Sequence, residues 1–133
     1  MDSVLIVDDD PIALRVMTRT NEQAPYDGEV VNDPRAALTH CQTKCFPSLV
    51  TDQLDGLERY LPLKRQRPLL RGIVCSAHLD YHLVTSLIEA GFDDCLLKPV
   101  MPATLQHSVN RSLAIRFHWQ DRIAQLRGLE SKQ

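Results

Sequence analysis

Val4-Leu5-Ile6-Val7-Asp8-Asp9-Asp10-Pro11 is the stretch that decides the fold. Four consecutive apolar residues suit a strand buried on both faces, and three aspartates end it abruptly. Pro11 is well placed in the first turn of a helix, with Asp10 as a plausible N-cap and Ile12, Leu14 and Val16 offering an apolar face. A strand running directly into an amphipathic helix is one β–α unit, and the unit recurs along the chain. A turn-rich stretch from Asn21 to Gly28 leads to a strand around Glu29–Val31, and Asn32-Asp33-Pro34 opens a helix through Cys41. Ser48–Thr51 reads as the third strand, ended by Asp52. The helix over 54–65 contains Pro62, which should bend it or end it early. Leu69–Cys75 is the fourth strand, followed by Ser76-Ala77-His78. Leu79–Ala90 follows as an amphipathic helix with Gly91 as its C-cap. Cys95–Leu97 is the fifth strand, ending at Lys98-Pro99, and Pro102 opens a last helix expected to reach about Leu126. Strands alternating with helices in this way give a doubly wound parallel sheet, joined by right-handed crossovers.

The totals narrow the function. A chain of 133 residues is one domain's length and can bury a real core. Its net charge of −2 supplies no basic field for nucleic acid or an acidic membrane. No apolar run approaches the roughly 18–20 residues that span a bilayer, and the N-terminus lacks the basic segment of a signal peptide. The expectation is a cytoplasmic protein with no membrane or direct nucleic-acid partner. Cys41 and Cys45 stand one helical turn apart, yet no second pair completes a metal site. Together with Cys75 and Cys95 they read as free thiols, with zinc or a disulfide as the lesser alternatives. His78 and His82 could share a helix face, but no third ligand accompanies them.

In open parallel sheets ligands bind outside the carboxyl ends of the strands. Those ends carry Asp8-Asp9, Asp52, Ser76 and Lys98. Taken singly, each signal is weak: an Asp after a strand is usually a helix cap, and a lone Ser or Lys says little. Together they make a chemistry. Carboxylates gathered from two strand ends repel one another, and a hard cation with water in its shell, Mg²⁺, relieves that. A lysine and a hydroxyl opposite suit a phosphoryl group, whose transfer is mostly electrostatic positioning. A carboxylate can itself be the nucleophile and form an acyl phosphate.

VLIVDDDP (4–11), SLVTD (48–52), IVCSAH (73–78) and AGFDDCLLKPV (90–100) resemble, in order and spacing, the receiver domains of two-component response regulators. The first and last of these are quite specific in combination. The resemblance implies a flavodoxin-like (βα)5 domain over residues 1–113. It implies Asp52 as phosphoacceptor, with Ser76 and Lys98 beside it, and Mg²⁺ held by Asp8, Asp9, Asp52 and a backbone carbonyl near Gln53. It also implies a cis bond before Pro99, a histidine kinase or phosphotransfer protein as partner, and a signalling role rather than an enzymatic one. Three departures stand out. Asp52-Gln53-Leu54-Asp55-Gly56 is several residues shorter than the family's loop, the family's aromatic switch position falls at Cys95, and Pro62 interrupts the third helix. A pseudo-receiver with the same fold, serving as a docking or dimerisation module, is therefore the competing reading. A nucleotide- or flavin-binding relative would need a glycine-rich loop after the first strand, where Asp8-Asp9-Asp10 stands.

Residues 114–133 read as a helical extension. At 1.5 Å per residue, a helix from 103 to 126 is on the order of 36 Å long and overhangs the domain. Within it Trp119, Ile123 and Leu126 recur at spacings of four and three, as in a two-helix seam. That pattern predicts a homodimer, a partner contact, or a signalling helix toward an output domain.

Overall fold

The computed structural model describes residues 3–8, 10, 11, 13, 15, 18, 19, 27–33, 36, 39 and 46–131, with backbone alone at 27, 53–59, 130 and 131. Five strands, β1 (Ser3–Val7), β2 (Asp27–Val31), β3 (Ser48–Asp52), β4 (Arg71–Ser76) and β5 (Asp94–Leu97), form one sheet in the order β2-β1-β3-β4-β5. Every pairing is parallel. Three helices are described end to end: α1 (Gln53–Gln66), α2 (Tyr81–Ala90) and α3 (Pro102–Ser131). Pro11, Ala13, Arg15, Thr18 and Arg19 are also helical, as are Ala36 and Thr39. This is the flavodoxin-like doubly wound sheet with a long C-terminal helix, as expected. The apolar face expected from Ile12, Leu14 and Val16, and the pair Cys41 and Cys45, lie outside the described residues.

The strands explain why their sequences are apolar without alternation. Leu5 and Val7 join Val31, Leu49, Tyr60, Val74 and Leu87 in a core on one face. Val4 and Ile6 join Val50, Ile73, Cys75, Leu105 and Val109 on the other. Successive side chains point to opposite faces, and both faces are covered, so β1 from Val4 to Val7 and the inner positions of β4 carry no polar side chain. α1 and α2 serve the first core through Tyr60, Leu63 and Leu87; α3 serves the second through Leu105 and Val109.

α2 is bounded as its sequence directs. The Asp80 carboxylate accepts a hydrogen bond from the Leu83 amide at 2.7 Å. Gly91 closes the helix at φ 90°, with the Gly91 and Phe92 amides donating to Ile88 and Leu87. α1 corrects an expectation. Pro62 neither ends nor shortens it: the helix runs four residues further, to Gln66, and the Arg67 amide donates to the Leu63 carbonyl at 2.8 Å. Pro62 lies on the exposed side, where a carbonyl deprived of its donor can bond water. Tyr60 and Leu63 meanwhile hold the helix to the core on either side of it.

The last helix is longer than expected, reaching Ser131, which at 1.5 Å per residue makes it about 45 Å long. Ser108, Val109 and Ser112 are buried and Leu113 packs against the core. From Phe117 through Leu129 every residue is exposed, including Trp119, Ile123, Leu126 and Leu129.

Candidate functional site

The sheet order brings the strand ends together. β3 lies between β1 and β4, and β5 flanks β4, so Asp8, Asp52, Ser76 and Lys98 follow one another along the carboxyl edge. The register sets their levels: Val7 pairs with Thr51, Asp52 with Cys75, and Ser76 with Leu97. A bond from the Lys98 amide to the Ser76 carbonyl, 2.7 Å, ties the last two ends. The Lys98–Pro99 peptide is cis.

Asp8 is the deepest of these groups, 1% exposed. Its amide donates to the Val31 carbonyl of the neighbouring strand, and its Oδ1 accepts from the Asp10 amide at 2.9 Å. Its Oδ2 lies 2.7 Å from Lys98 Nζ, with no other polar partner among the described residues. The contact is an ion pair. Burial works against the Lys98 charge, yet close contact with Asp8 and the charges of Asp8, Asp52 and Asp10 outweigh it and hold the ammonium above its ordinary pKa.

Asp52 is half-buried, is the last residue of β3 and stands at the N-cap of α1. Its side chain makes no capping hydrogen bond. This position normally uses a carboxylate to satisfy the first helical amides. Ser76 is spoken for locally: its buried hydroxyl donates to the His78 carbonyl at 2.7 Å and accepts from the His78 amide at 3.1 Å. Sequence reasoning placed the hydroxyl opposite the carboxylates and missed that the turn after β4 captures it. A Ser two residues before the end of such a turn is the signal that was available.

Gln53 opens α1 directly, with no loop after β3. A carbonyl in a first helical turn points along the axis toward the amide four residues on, rather than back to the strand ends. Asp9 lies outside the described residues, and so does the Gln53 side chain. Among the described residues no three acidic, His or Cys side chains converge as a metal site. The oxygen donors nonetheless fit a hard divalent ion. Mg²⁺ keeps several waters and takes one or two carboxylates, and Asp8 presents a buried carboxylate oxygen met only by the Lys98 ammonium among the described residues.

Two free thiols lie near this edge. Burial, above all, pushes the Cys75 thiol up to about 12; Lys98 draws it down, while Asp8, Asp94 and Asp52 add to the rise. Cys95, in β5, is half-buried, and burial followed by the charge of Asp94 raises it too. At the position where the family's aromatic switch was expected, Cys95 instead borders a cleft of about 230 Å³ with Val84, Leu87, Ile88 and Phe92. Iodoacetamide on the native protein should therefore alkylate Cys95 while Cys75 reacts only upon unfolding, as peptide mapping will report. The Cys75 contribution to stability is complete below the unfolded thiol's pKa near 9. It is lost as pH rises from there toward 12.

Comparison with known proteins agrees with the geometry. The profile of the response regulator receiver domain matches residues 4–110. The chemotaxis protein CheY of Thermotoga maritima is 28% identical over 115 residues, 81% of this chain and 94% of that protein. The alginate biosynthesis transcriptional regulatory protein AlgB of Pseudomonas putida is 28% identical over 117 residues, 85% of this chain. The match spans 26% of that regulator's length. A CheY-like receiver domain from Methanospirillum hungatei superposes with a TM-score of 0.80 at 22% identity, covering 89% of this chain and 98% of its own. No helix among the described residues is long and apolar enough to cross a membrane.

Proposed function

The chain belongs to the response regulator receiver domain family, and from that premise we propose that Asp52 accepts a phosphoryl group from a histidine kinase or phosphotransfer protein. The observation that carries this reading is the position of Asp52. It ends β3 at the N-cap of α1, on the sheet edge that also carries Asp8 and Lys98. In the proposed step a carboxylate oxygen of ionised Asp52 attacks phosphorus. The donor's bond to phosphorus breaks with its electron pair, and an acyl phosphate forms without a proton leaving Asp52. Bound Mg²⁺ supplies neutralisation of the phosphoryl oxygens. Asp8, Asp9 and Asp52 would hold it, while a Gln53 carbonyl would have to turn out of the first turn of α1 to join them. Lys98 would offer the second positive charge and Ser76 a hydroxyl, once released from His78. Incubation of the wild-type chain with Mg²⁺ and acetyl phosphate tests the reading, through an acid-stable, base-labile adduct of one phosphoryl group in the intact mass. Absence of the adduct favours the pseudo-receiver reading, which the captured Ser76 hydroxyl and the loopless start of α1 speak for. A cytoplasmic site of action accompanies either reading.

Residues 1–113 would then be the receiver and 114–133 its extension. Trp119, Ile123 and Leu126, with Leu129, form the stripe through which we infer that two copies pair, or through which a partner or output segment is engaged. Burying such side chains is worth about 1.5–3 kcal/mol each, enough to make pairing measurable at micromolar concentration. Sedimentation of the wild type should give a dimer, and Trp119→Glu with Ile123→Glu a monomer that still takes phosphate. A wild-type monomer at high micromolar concentration removes the homodimer and leaves the partner contact.

A further inference from the structure

The amino edge of the sheet, opposite Asp52 and Ser76, carries a cleft that phosphoryl chemistry does not use. β3 and β4 begin there, and α3 passes it where Ser112 meets Ser48, the first residue of β3. The cleft has a volume of about 210 Å³ and is lined by Phe46, Arg67, Pro68, Leu69, Leu70 and Arg116. Phe46 and Leu70 are buried and give it an apolar floor. One wall is the turn from α1 into β4, and that turn is braced from behind. The Leu70 amide donates to the Arg67 carbonyl at 2.9 Å, and Arg71, paired with Asp93, donates to the Pro68 and Leu69 carbonyls. The wall is therefore formed before any ligand arrives, as in most small-molecule sites. Arg67 and Arg116 differ from Arg71. Both are half-buried, yet among the described residues neither guanidinium has a carboxylate or carbonyl partner. Packing of their stems over Phe46 accounts for the burial of their methylenes, but it leaves two like charges at one opening with no counter-charge.

We propose that this cleft binds a small organic anion, a carboxylate carried on one aromatic ring or a short alkyl chain. The hydrocarbon rests on Phe46 and Leu70, and Arg67 and Arg116 hold the carboxylate. Volume sets the size of the ligand. A cavity of about 150 Å³ takes benzene, whereas ligands of drug size need roughly 300–1,000 Å³. Charge sets the class. A guanidinium partly removed from water gains most from a planar anion that it can grip through two N–H groups, and two of them beside an apolar floor disfavour neutral and cationic molecules alike. Neither Mg²⁺ nor a phosphoryl group is needed there, and failure of the phosphoacceptor reading leaves this site untouched.

NMR titration of the isotope-labelled full chain with hydrocinnamate, a phenyl ring on a short carboxylate arm, tests the site. Amide shifts should saturate and centre on Phe46, Leu69, Leu70 and Arg116. Hydrocinnamamide, of the same shape without the charge, should bind roughly tenfold more weakly, because a charge-assisted hydrogen bond is lost. Acetate, which keeps the charge and lacks the ring, should also bind roughly tenfold more weakly or worse. Arg67→Gln and Arg116→Gln should each weaken hydrocinnamate about tenfold. Both variants should melt close to wild type, since neither guanidinium has a partner among the described residues to lose. Should either variant melt well below wild type, the three probes compared on the wild type still decide. Equal binding of the amide, acetate bound as tightly as hydrocinnamate, shifts centred elsewhere, or binding untouched by both substitutions overturns the site.

Discussion

Asp52→Asn should abolish labelling by acetyl phosphate, leaving no adduct on any other carboxylate. The amide nitrogen and oxygen of Asn cannot attack phosphorus as a carboxylate does, so the loss should reach the detection limit rather than a fraction. Asp8 is a poor substitute nucleophile, because it is buried and paired with Lys98. Asp10 lies outside the strand and keeps its amide on Asp8. The fold should tolerate the change. Asn is as good an N-cap as Asp, and the Asp52 side chain makes no capping bond to lose. Removing one negative charge from an edge that already holds Asp8 should also relieve repulsion, so the variant should melt at or slightly above the wild-type temperature. Intact-mass spectrometry and thermal denaturation read the two halves of this expectation. A variant that melts like wild type yet still carries a phosphoryl group places the nucleophile elsewhere.

The parallel sheet was legible because strands alternate with helices along the chain and because Val4 to Val7 form an unbroken apolar run. Val4 to Val7 could only be buried on both faces, and a sheet covered on both faces has its ligand edge at the strand ends. Gly91 was legible because its residue type suits the left-handed backbone found there, whereas the cis bond before Pro99 was expected from the resemblance. Side-chain partners were not. Nothing in the spacing of Asp8 and Lys98 says that they meet, because that contact depends on sheet order and on a rotamer. The capture of Ser76 by His78 is local, but it competes with a functional role, and sequence alone does not say which of two hydrogen bonds a hydroxyl takes. Early termination at Pro62 failed for a tertiary reason: Tyr60 and Leu63 anchor the helix on both sides of it.

Tyr60 and Gly72 are the clearest case of structure that no pattern announced, and the second large effect is expected there. Gly72 belongs to β4 and shares the face of Val74, over which Tyr60 and Phe92 stack with ring centroids 4.0 Å apart. A Cβ on Gly72 would lie 2.6 Å from Tyr60 Cε2 and 2.9 Å from Phe92 Cδ1. The glycine is needed for space, not for backbone freedom. Neither ring can yield easily. The Tyr60 hydroxyl donates toward the Leu70 and Gly91 carbonyls, each at 3.3 Å, and the ring is wholly buried. Beside the rings, the Gly72 amide and Arg71 are both held by Asp93, which fixes the strand itself. Gly72→Val should therefore cost about 3 kcal/mol or more, at the upper end for overpacked cores. For a chain of 133 residues that lowers Tm by roughly 10 °C. Gly72→Ala should do most of the damage by itself, because the first added carbon already meets the ring. Gly128→Ala, with open space around its position in α3, should be neutral or slightly stabilising by helix propensity. Combining Gly72→Ala with Tyr60→Val makes the assignment specific. If the clash is with the tyrosine ring, the double variant should lose less stability than the two single losses added together. Strict additivity would mean that β4 shifts away from the ring and that the cost arises elsewhere in the sheet.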